Sequence, residues 1–261
     1  MELLSDKVIV LKSSPFEERS LIVQALSENH GRVSAIAKNG IQSKRFGGAL
    51  NTFSASQWSF SRKSEHQLYF LKEATILNSF HAIRHDLQQF ALASALNELL
   101  LKIVQPNQPT TKLFQLHSNT LSLIDLGACR DQERLVFNHF FSRILIWMGL
   151  YPQWSTCLHC KEALSEAPKN QQIVGVEKEI GWVHGECQNE QWTSDGTVMS
   201  FFPETMLSIY LMLNQPIRVA LENTRPQTKD HHRFMHYLTR IGAYHIPGLD
   251  QMPLKSLELI V

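Results

Sequence analysis

Gly31-Arg32-Val33-Ser34-Ala35-Ile36-Ala37-Lys38-Asn39-Gly40 reads as a strand running into a turn. Val33, Ala35 and Ala37 recur at every second position, the period of an extended chain that buries one face, and Asn39-Gly40 is a turn signal. The same period extends to both sides: Val8 and Val10, then Leu21, Val23 and Ala25, and further on Trp58 and Phe60, then Leu68 and Phe70. Ser13-Ser14-Pro15, Asn29-His30-Gly31 and Gly47-Gly48 supply the intervening turn signals. Five short strands with such connections predict an antiparallel sheet over residues 1–80, and closing it into a small barrel removes its edges.

From His81 the period becomes helical. Behind Asp86, the residues Leu87, Phe90, Ala91, Ala95, Leu99, Leu100 and Ile103 form one apolar stripe that ends before Pro106 and Pro109. A second helix is expected over Thr111–Leu126, on Leu113, Leu116, Leu121 and Ile124, closing at Gly127. A third runs from Gln132 to Met148, on Leu135, Val136, Phe140, Ile144 and Trp147, closing at Gly149. Further on, Ser200 is the expected cap and Pro203 the first-turn proline of a helix bearing Met206, Leu207, Tyr210 and Leu213. A last helix spans Asp230–Tyr244 on Phe234, Leu238 and Ile241, followed by a packed, non-helical tail, Pro253-Leu254-Lys255-Ser256-Leu257. The expected class is α+β: a five-stranded antiparallel barrel in 1–80, then an all-α bundle in 81–261.

The bundle is interrupted at 152–192 by Cys157-x2-Cys160 and His184-x2-Cys187. Two such pairs bring four donors onto one ion, the closed tetrahedral set of a structural zinc site. His159 lies inside the first pair and is a rival donor, but its place between two thiolates argues against it. Gly181 and Gly185 read as the turn glycines of the second pair. A redox pair is disfavoured, because such a motif opens a helix after a strand, whereas Pro152 and Trp154 precede this one. Buried, unligated thiols are the remaining alternative.

With 261 residues, 43% of them hydrophobic and 19% charged, the chain is long enough for about two domains with a sizeable core. No apolar run approaches the roughly 20 residues of a membrane span, and the first residues lack the features of a signal peptide. A soluble, cytoplasmic protein is expected, and Cys129 without an evident disulfide partner suits a reducing compartment. The formal net charge is only +1, so a nucleic-acid surface must be local. Between Met1 and Phe80, ten Lys and Arg stand against seven Asp and Glu, and no acid separates Arg32, Lys38, Lys44 and Arg45. Such a cluster can pair with phosphates, as small barrels of the OB type do when they bind single strands, or it can be a solvated loop.

Glu18-Arg19-Ser20-Leu21-Ile22-Val23, the run from His30 to Gly40 and Ser43-Lys44-Arg45-Phe46-Gly47-Gly48-Ala49-Leu50 resemble the N-terminal OB-fold barrel of the bacterial RecO family. Gly149-Leu150-Tyr151-Pro152, Cys157-x2-Cys160, Gly181-Trp182-Val183-His184-x2-Cys187 and Leu254-Lys255-Ser256 resemble the same family's zinc region and C-terminal ending. The resemblance implies a DNA repair and recombination mediator. Such a protein binds single- and double-stranded DNA, anneals complementary strands, and helps load RecA onto strands covered by single-strand-binding protein, working with RecR. It further implies one structural zinc ion on Cys157, Cys160, His184 and Cys187, and a cytoplasmic, nucleoid-associated location. Arg19, Arg32, Lys38, Lys44 and Arg45 become the DNA-binding candidates, and the helical domain becomes the dock for the single-strand-binding protein's C-terminal tail, with Arg130, Arg134 and Arg143 as its candidate cations. The chain departs from the family at His184, commonly cysteine, and at Ile41-Gln42 and Asn51-Thr52.

No catalytic residue is expected, because annealing draws its driving force from base pairing. Gly-x4-Gly-Lys-Ser/Thr and His-Glu-x2-His are absent, so nothing supports nucleotide turnover or a hydrolytic metal. Asp86, Asp125 and Glu133 fall at expected caps or first turns. Two other readings stand beside the mediator. One is a zinc-dependent nucleic-acid enzyme, although the Lys-x-Asp-Gly motif of ligases is missing. The other is a scaffold that binds no DNA and keeps Phe90, Leu99, Phe114 and Trp147 as core.

Overall fold

The computed structural model describes residues 3–41, 43, 45–62, 68–189, 199–223, 229–250 and 254–260. The chain divides into two compact units, 1–130 with 254–261 and 131–253. The expected boundary after residue 80 marks a change of secondary structure; the division by contacts falls after the second helix.

The first unit holds a closed barrel of β1 (Leu3–Phe16), β2 (Ser20–Ser27), β3 (Gly31–Ala37), β4 (Ala55–Ser61) and β5 (Tyr69–Asn78), in the order β1-β2-β3-β5-β4. All pairings are antiparallel except β3 with β5. Val8, Val10, Val23, Ala25, Val33, Ala35, Trp58 and Phe60 fill the interior as the alternation predicts. In β5 the phase is the opposite of the expected one: Tyr69 and Leu71 are buried, while Leu68 is exposed and Phe70 half-buried. Leu68-Tyr69-Phe70-Leu71 is apolar throughout, so periodicity cannot set its phase; pairing with β4 does, with Leu71 opposite Phe60. Ser13-Ser14-Pro15 is not a turn but the end of β1, in register with Val23, Ile22 and Leu21. The chain reverses afterwards, at Glu17 with φ 53°.

Two helices follow: α1 (Leu87–Ile103) packs on β1 of the barrel, and α2 (Thr111–Asp125) packs on α1. The Asp86 carboxylate caps α1 by accepting from the Gln88 and Gln89 amides at 3.0 and 3.2 Å. Asp125 receives the Ala82 and Ile83 amides at 2.8 and 3.3 Å, so it caps the short turn before α1 and not its own helix. The buried side of α1 carries Ala91, Leu92, Ala95, Leu96, Leu99 and Leu100; Leu87 and Phe90 lie outside, 72% and 41% exposed. The expected stripe was therefore rotated at its first turn, where the helix outruns the surface it packs on. On the same unit the tail is helical, contrary to expectation. Lys255–Leu259 form a 3-10 turn whose Lys255 and Ser256 amides donate to the Glu98 carboxylate at 3.2 and 3.1 Å.

Polar contacts lock the barrel to α1 and α2. A bulge between Val10 and Lys12 frees the Leu11 carbonyl, which accepts from Asn97 Nδ2 at 2.9 Å. The Asn97 amide oxygen meets His117 Nε2 at 2.9 Å, and since that oxygen only accepts, Nε2 carries the hydrogen. Burial holds the fully enclosed His117 far below its ordinary value, to about 3. At the other end, buried Asp6 accepts from Ser27 Oγ, from the Asn29 amide at 2.9 Å and from Asn29 Nδ2 at 2.8 Å. Gly31, with φ +68°, brings the β2–β3 turn so close to the segment after α1 that a Cβ there would stand 2.2 Å from the Gln105 carbonyl. Only glycine fits.

The second unit is built on α3 (Glu133–Trp147), buried along most of its circumference, with α4 (Pro203–Asn214), α5 (Ile217–Asn223) and α6 (Lys229–His245). A small sheet β7-β6-β8, from Ile173–Val176 (β6), Gly181–His184 (β7) and Ser200–Phe201 (β8), lies in the interruption of the helices. Ser200 thus belongs to a strand and does not cap α4, which starts at Pro203 behind Phe202. Phe234, Leu238 and Ile241 on α6 are buried as expected, and Gly127 and Gly149 close α2 and α3 at φ +71°. Of the four expected bundle-core residues, Leu99 and Phe114 are buried, whereas Phe90 and Trp147 are a little under half exposed.

Two outcomes follow from the Asn97–His117 link. Asn97→Ala is expected to lower unfolding free energy by about 1–3 kcal/mol in urea melts, because a buried carbonyl and imidazole lose their partner. His117 takes up its proton near its ordinary value when unfolded and only at about 3 when folded, so the unfolded chain binds more protons between them. Stability therefore falls as pH drops through that window, and His117→Gln is expected to flatten this part of the pH profile.

Candidate metal centre and nucleic-acid face

A tight turn after Pro152 presents Cys157 and Cys160, and the end of β7 with the 3-10 turn after it presents His184 and Cys187. One donor atom from each lies within 4.8 Å of all the others. Cys160 Sγ is 3.3 Å from His184 Nδ1, and the His184 amide points at Cys157 Sγ at 3.5 Å. Tetrahedral coordination at roughly 2.0–2.3 Å places donors at separations of this order, so the residues fit a zinc-sized ion. His159 is exposed and stands outside the group. Burial pushes the Cys157 thiol up, but amide donors from His184, Cys160 and His159 outweigh it and bring the thiol down to about 7. Burial and the neighbouring Cys160 and Cys157 push Cys187 up to about 12. A cation held among these donors would favour the thiolate form of Cys187.

Close packing positions both halves. The Leu158 amide donates to the Trp182 carbonyl at 2.8 Å, and a Cβ on Gly181 would meet the Leu158 side chain at 2.8 Å. Gly181 is therefore needed for close approach and not as a turn residue; the turn is made by Ile180, at φ 55°. Tyr237 of α6 lies against Gly175, where a Cβ would come within 2.6 Å of its ring, and its hydroxyl donates to the Gly181 carbonyl at 2.8 Å. Trp154, Trp182, Phe201 and Phe234 pack ring against ring with Tyr237 as an aromatic layer. Sequence reasoning missed Gly175 and Tyr237, whose partners lie some 60 residues apart.

A cleft of about 1030 Å³ is lined by Tyr151, Pro152 and Trp154 of this region and by Met206, Leu207 and Tyr210 of α4. Its cation is Lys169, paired with Glu204 at 3.2 Å. Arg130, Arg134 and Arg143, the candidate cations, lie elsewhere. Arg130 pairs with Asp86 at 3.6 Å, Arg143 donates to the Gln215 carbonyl at 3.4 Å, and Arg134 lies near His232 and His236.

On the barrel, the outward positions of β2, β3 and β5 form a row: Ile22 opposite Ile36, and Ile36 opposite Phe70. All three are half-buried. Lys38 Nζ sits 5.7 Å from the Phe70 ring, and Lys72 is exposed two residues on. The Ile41 amide donates to the Arg19 carbonyl at 3.2 Å, which ties Arg19 to the loop after β3. Arg45 belongs to that loop, 3.9 Å from Glu73, both well exposed. Lys44 lies outside the described residues. Arg32 stands apart, six residues and roughly 20 Å along an extended strand from Lys38, with its guanidinium on the Leu101 carbonyl. Arg62 covers Tyr69 at 4.7 Å and bonds Asn107, and Lys63 is outside the described residues. Phe70 went unnoticed as a surface residue because the phase of β5 was misread.

Among the described residues no helix is long and apolar enough to cross a membrane. Residues 1–80 match the family described as Recombination protein O N terminal, and residues 84–227 match Recombination protein O C terminal. The DNA repair protein RecO of Syntrophus aciditrophicus is 34% identical over 168 residues, covering 64% of this chain and 63% of that one. That of Anaeromyxobacter sp. (strain K) is 30% identical over 61% of this chain and 62% of its own. That of Caldicellulosiruptor saccharolyticus is 28% identical over 73% and 74%. The chain thus spans somewhat under two thirds of the first two relatives. With both halves matched by successive models and the barrel and helices in the matching places, the chain belongs to the RecO family of DNA repair proteins.

Proposed function

We propose that this chain is a strand-annealing recombination mediator that works without turnover. It binds single- and double-stranded DNA, promotes pairing of complementary strands, and with RecR helps RecA replace single-strand-binding protein. The observation that carries this reading is the row Ile22–Ile36–Phe70 beside Lys38 on the barrel's outer face. Apolar and aromatic faces accept unstacked bases, and cations alongside pair with the phosphates and release counterions. Arg19, Lys38, Lys44 and Arg45 are the phosphate contacts in this account. Arg32, held by the Leu101 carbonyl, braces β3. Annealing needs no acid, base or nucleophile: screening the strands' repulsion and holding bases unstacked is enough, so no residue has a catalytic role.

The Cys157, Cys160, His184 and Cys187 cluster is proposed to hold one structural zinc ion, which cross-links the first pair to β7. The cleft beside Trp154 and Tyr210 is proposed to take the aromatic end of the single-strand-binding protein's acidic tail, with Lys169 meeting its carboxylates. That tail is short, apolar at its end and negative, the chemistry such a cleft selects.

Annealing of two complementary oligonucleotides, bare and then coated with single-strand-binding protein, tests the central reading. Faster pairing of both, unchanged by ATP, is expected; binding without pairing would reduce the protein to a DNA-binding module. Phe70→Ala is expected to weaken single-strand binding by about 1–3 kcal/mol. Lys38→Ala should lower the salt slope by about 0.7, whereas Arg32→Ala should reduce stability and leave the slope alone. A chelator, or Cys187→Ser, is expected to change the tryptophan fluorescence, because Trp182 lies two residues from His184 and 5.1 Å from Trp154. An unaltered spectrum on verified zinc removal would count against a structural ion.

A further inference from the structure

His232 and His236 stand one turn apart on the exposed side of α6, with their Nε2 atoms 3.1 Å from each other and ring centroids 4.4 Å apart. Positions four apart on an α-helix are separated by only about 40° of rotation, so the two imidazoles lean over the same strip of surface. An ion held at roughly 2.05 Å from each nitrogen would subtend an angle of about 98° across this separation, a cis pair of either tetrahedral or tetragonal coordination. His81 and His85 have the same spacing but sit in a 3-10 turn, where a step of four rotates by about 120°, and their centroids are 6.3 Å apart. The geometry, not the spacing, distinguishes the first pair.

We infer that His232 and His236 form a second, solvent-open chelate for a borderline transition-metal cation, separate from the cysteine cluster, that bridges the first two turns of α6. Imidazole pairs suit Zn(II), Ni(II) and Cu(II), in rising order up to copper. The pair needs both rings neutral with Nε2 free of hydrogen. Partial desolvation, then the other ring and Arg134, hold His232 below its ordinary value; desolvation, Arg134 and Arg240 do the same for His236. Those two arginines also oppose a cation, although both rings are exposed and water screens the repulsion. Among the described residues no carboxylate, thiol or third imidazole completes the set, so the remaining positions are open to solvent. Because α6 also carries Phe234 and Tyr237 into the aromatic layer, an ion at its start would stiffen the helix on which that layer rests.

Zinc binding to the full chain, followed by calorimetry, tests the site. Wild type is expected to take up one equivalent that His236→Gln and His232→Gln bind on the order of 10²-fold more weakly, since one imidazole remains in each. His85→Gln should bind as wild type does. Equal stoichiometry and affinity in wild type and both α6 variants would overturn the inference, whatever the cysteine cluster does. Acylation of histidines in the unaltered protein, read by mass spectrometry, gives a measurement independent of folding of the variants. Zinc should protect His232 and His236 and leave His81 and His85 reactive; unprotected α6 histidines would also overturn it.

Discussion

Five strands cannot alternate in direction all the way round a closed ring, so at least one neighbouring pair in this barrel must be parallel. The chain places that pair at β3 and β5, and the strand between them in sequence, β4, lies on the far side of β5. A parallel pair cannot be joined by a hairpin, and β3 must reach β4 by crossing one end of the barrel. Of the described residues between β3 and β4, Phe46, Ala49 and Leu50 are buried in the core, and Lys38 and Arg45 lie outside it. Closure therefore accounts for the position of the basic loop as well as for the covered edges.

The same unit shows how a barrel with one continuous interior acquires a second buried surface. β1 carries Val8, Ile9, Val10 and Leu11 in succession, all essentially inaccessible, because its outward residues meet α1. A sheet buried on both faces cannot leave a bulged carbonyl unpaired, and Asn97 answers that need, oriented in turn by neutral His117. Asp6 does the corresponding work at the β2–β3 turn.

In the other unit the strands are short and the sheet has three of them, too little to organise the segment between α3 and α4 by burial alone. Side chains packed onto glycines take that role, with Tyr237 over Gly175 and Leu158 over Gly181, and the cysteine and histidine donors converge in the same segment. The closest contacts are between residues far apart in sequence. That is why a reading by spacing alone finds the four donors but not the groups that hold them.

Strand period, helix stops and ligand spacing are local properties, and they were legible: the barrel's inward Val33, Ala35, Trp58 and Phe60, the glycines after α2 and α3, the Asp86 cap and the Cys157-to-Cys187 pattern all depend on neighbours within a few residues or on alternation itself. Wherever apolar residues ran together, or an element outran its partner, local pattern ceased to decide. The phase of Leu68-Tyr69-Phe70-Leu71 was set by pairing with β4, the exposure of Leu87, Phe90 and Trp147 by where packing surfaces end, and the internal bond of Arg32 by a carbonyl 69 residues away. The sequence by itself determined the strands of the barrel, the main helices and the four-donor Cys157-to-Cys187 spacing; only the tertiary structure decided which faces they show, the strand at Ser200, the helical tail and which histidines meet, because a side chain's partner across the fold is not encoded in the residues beside it.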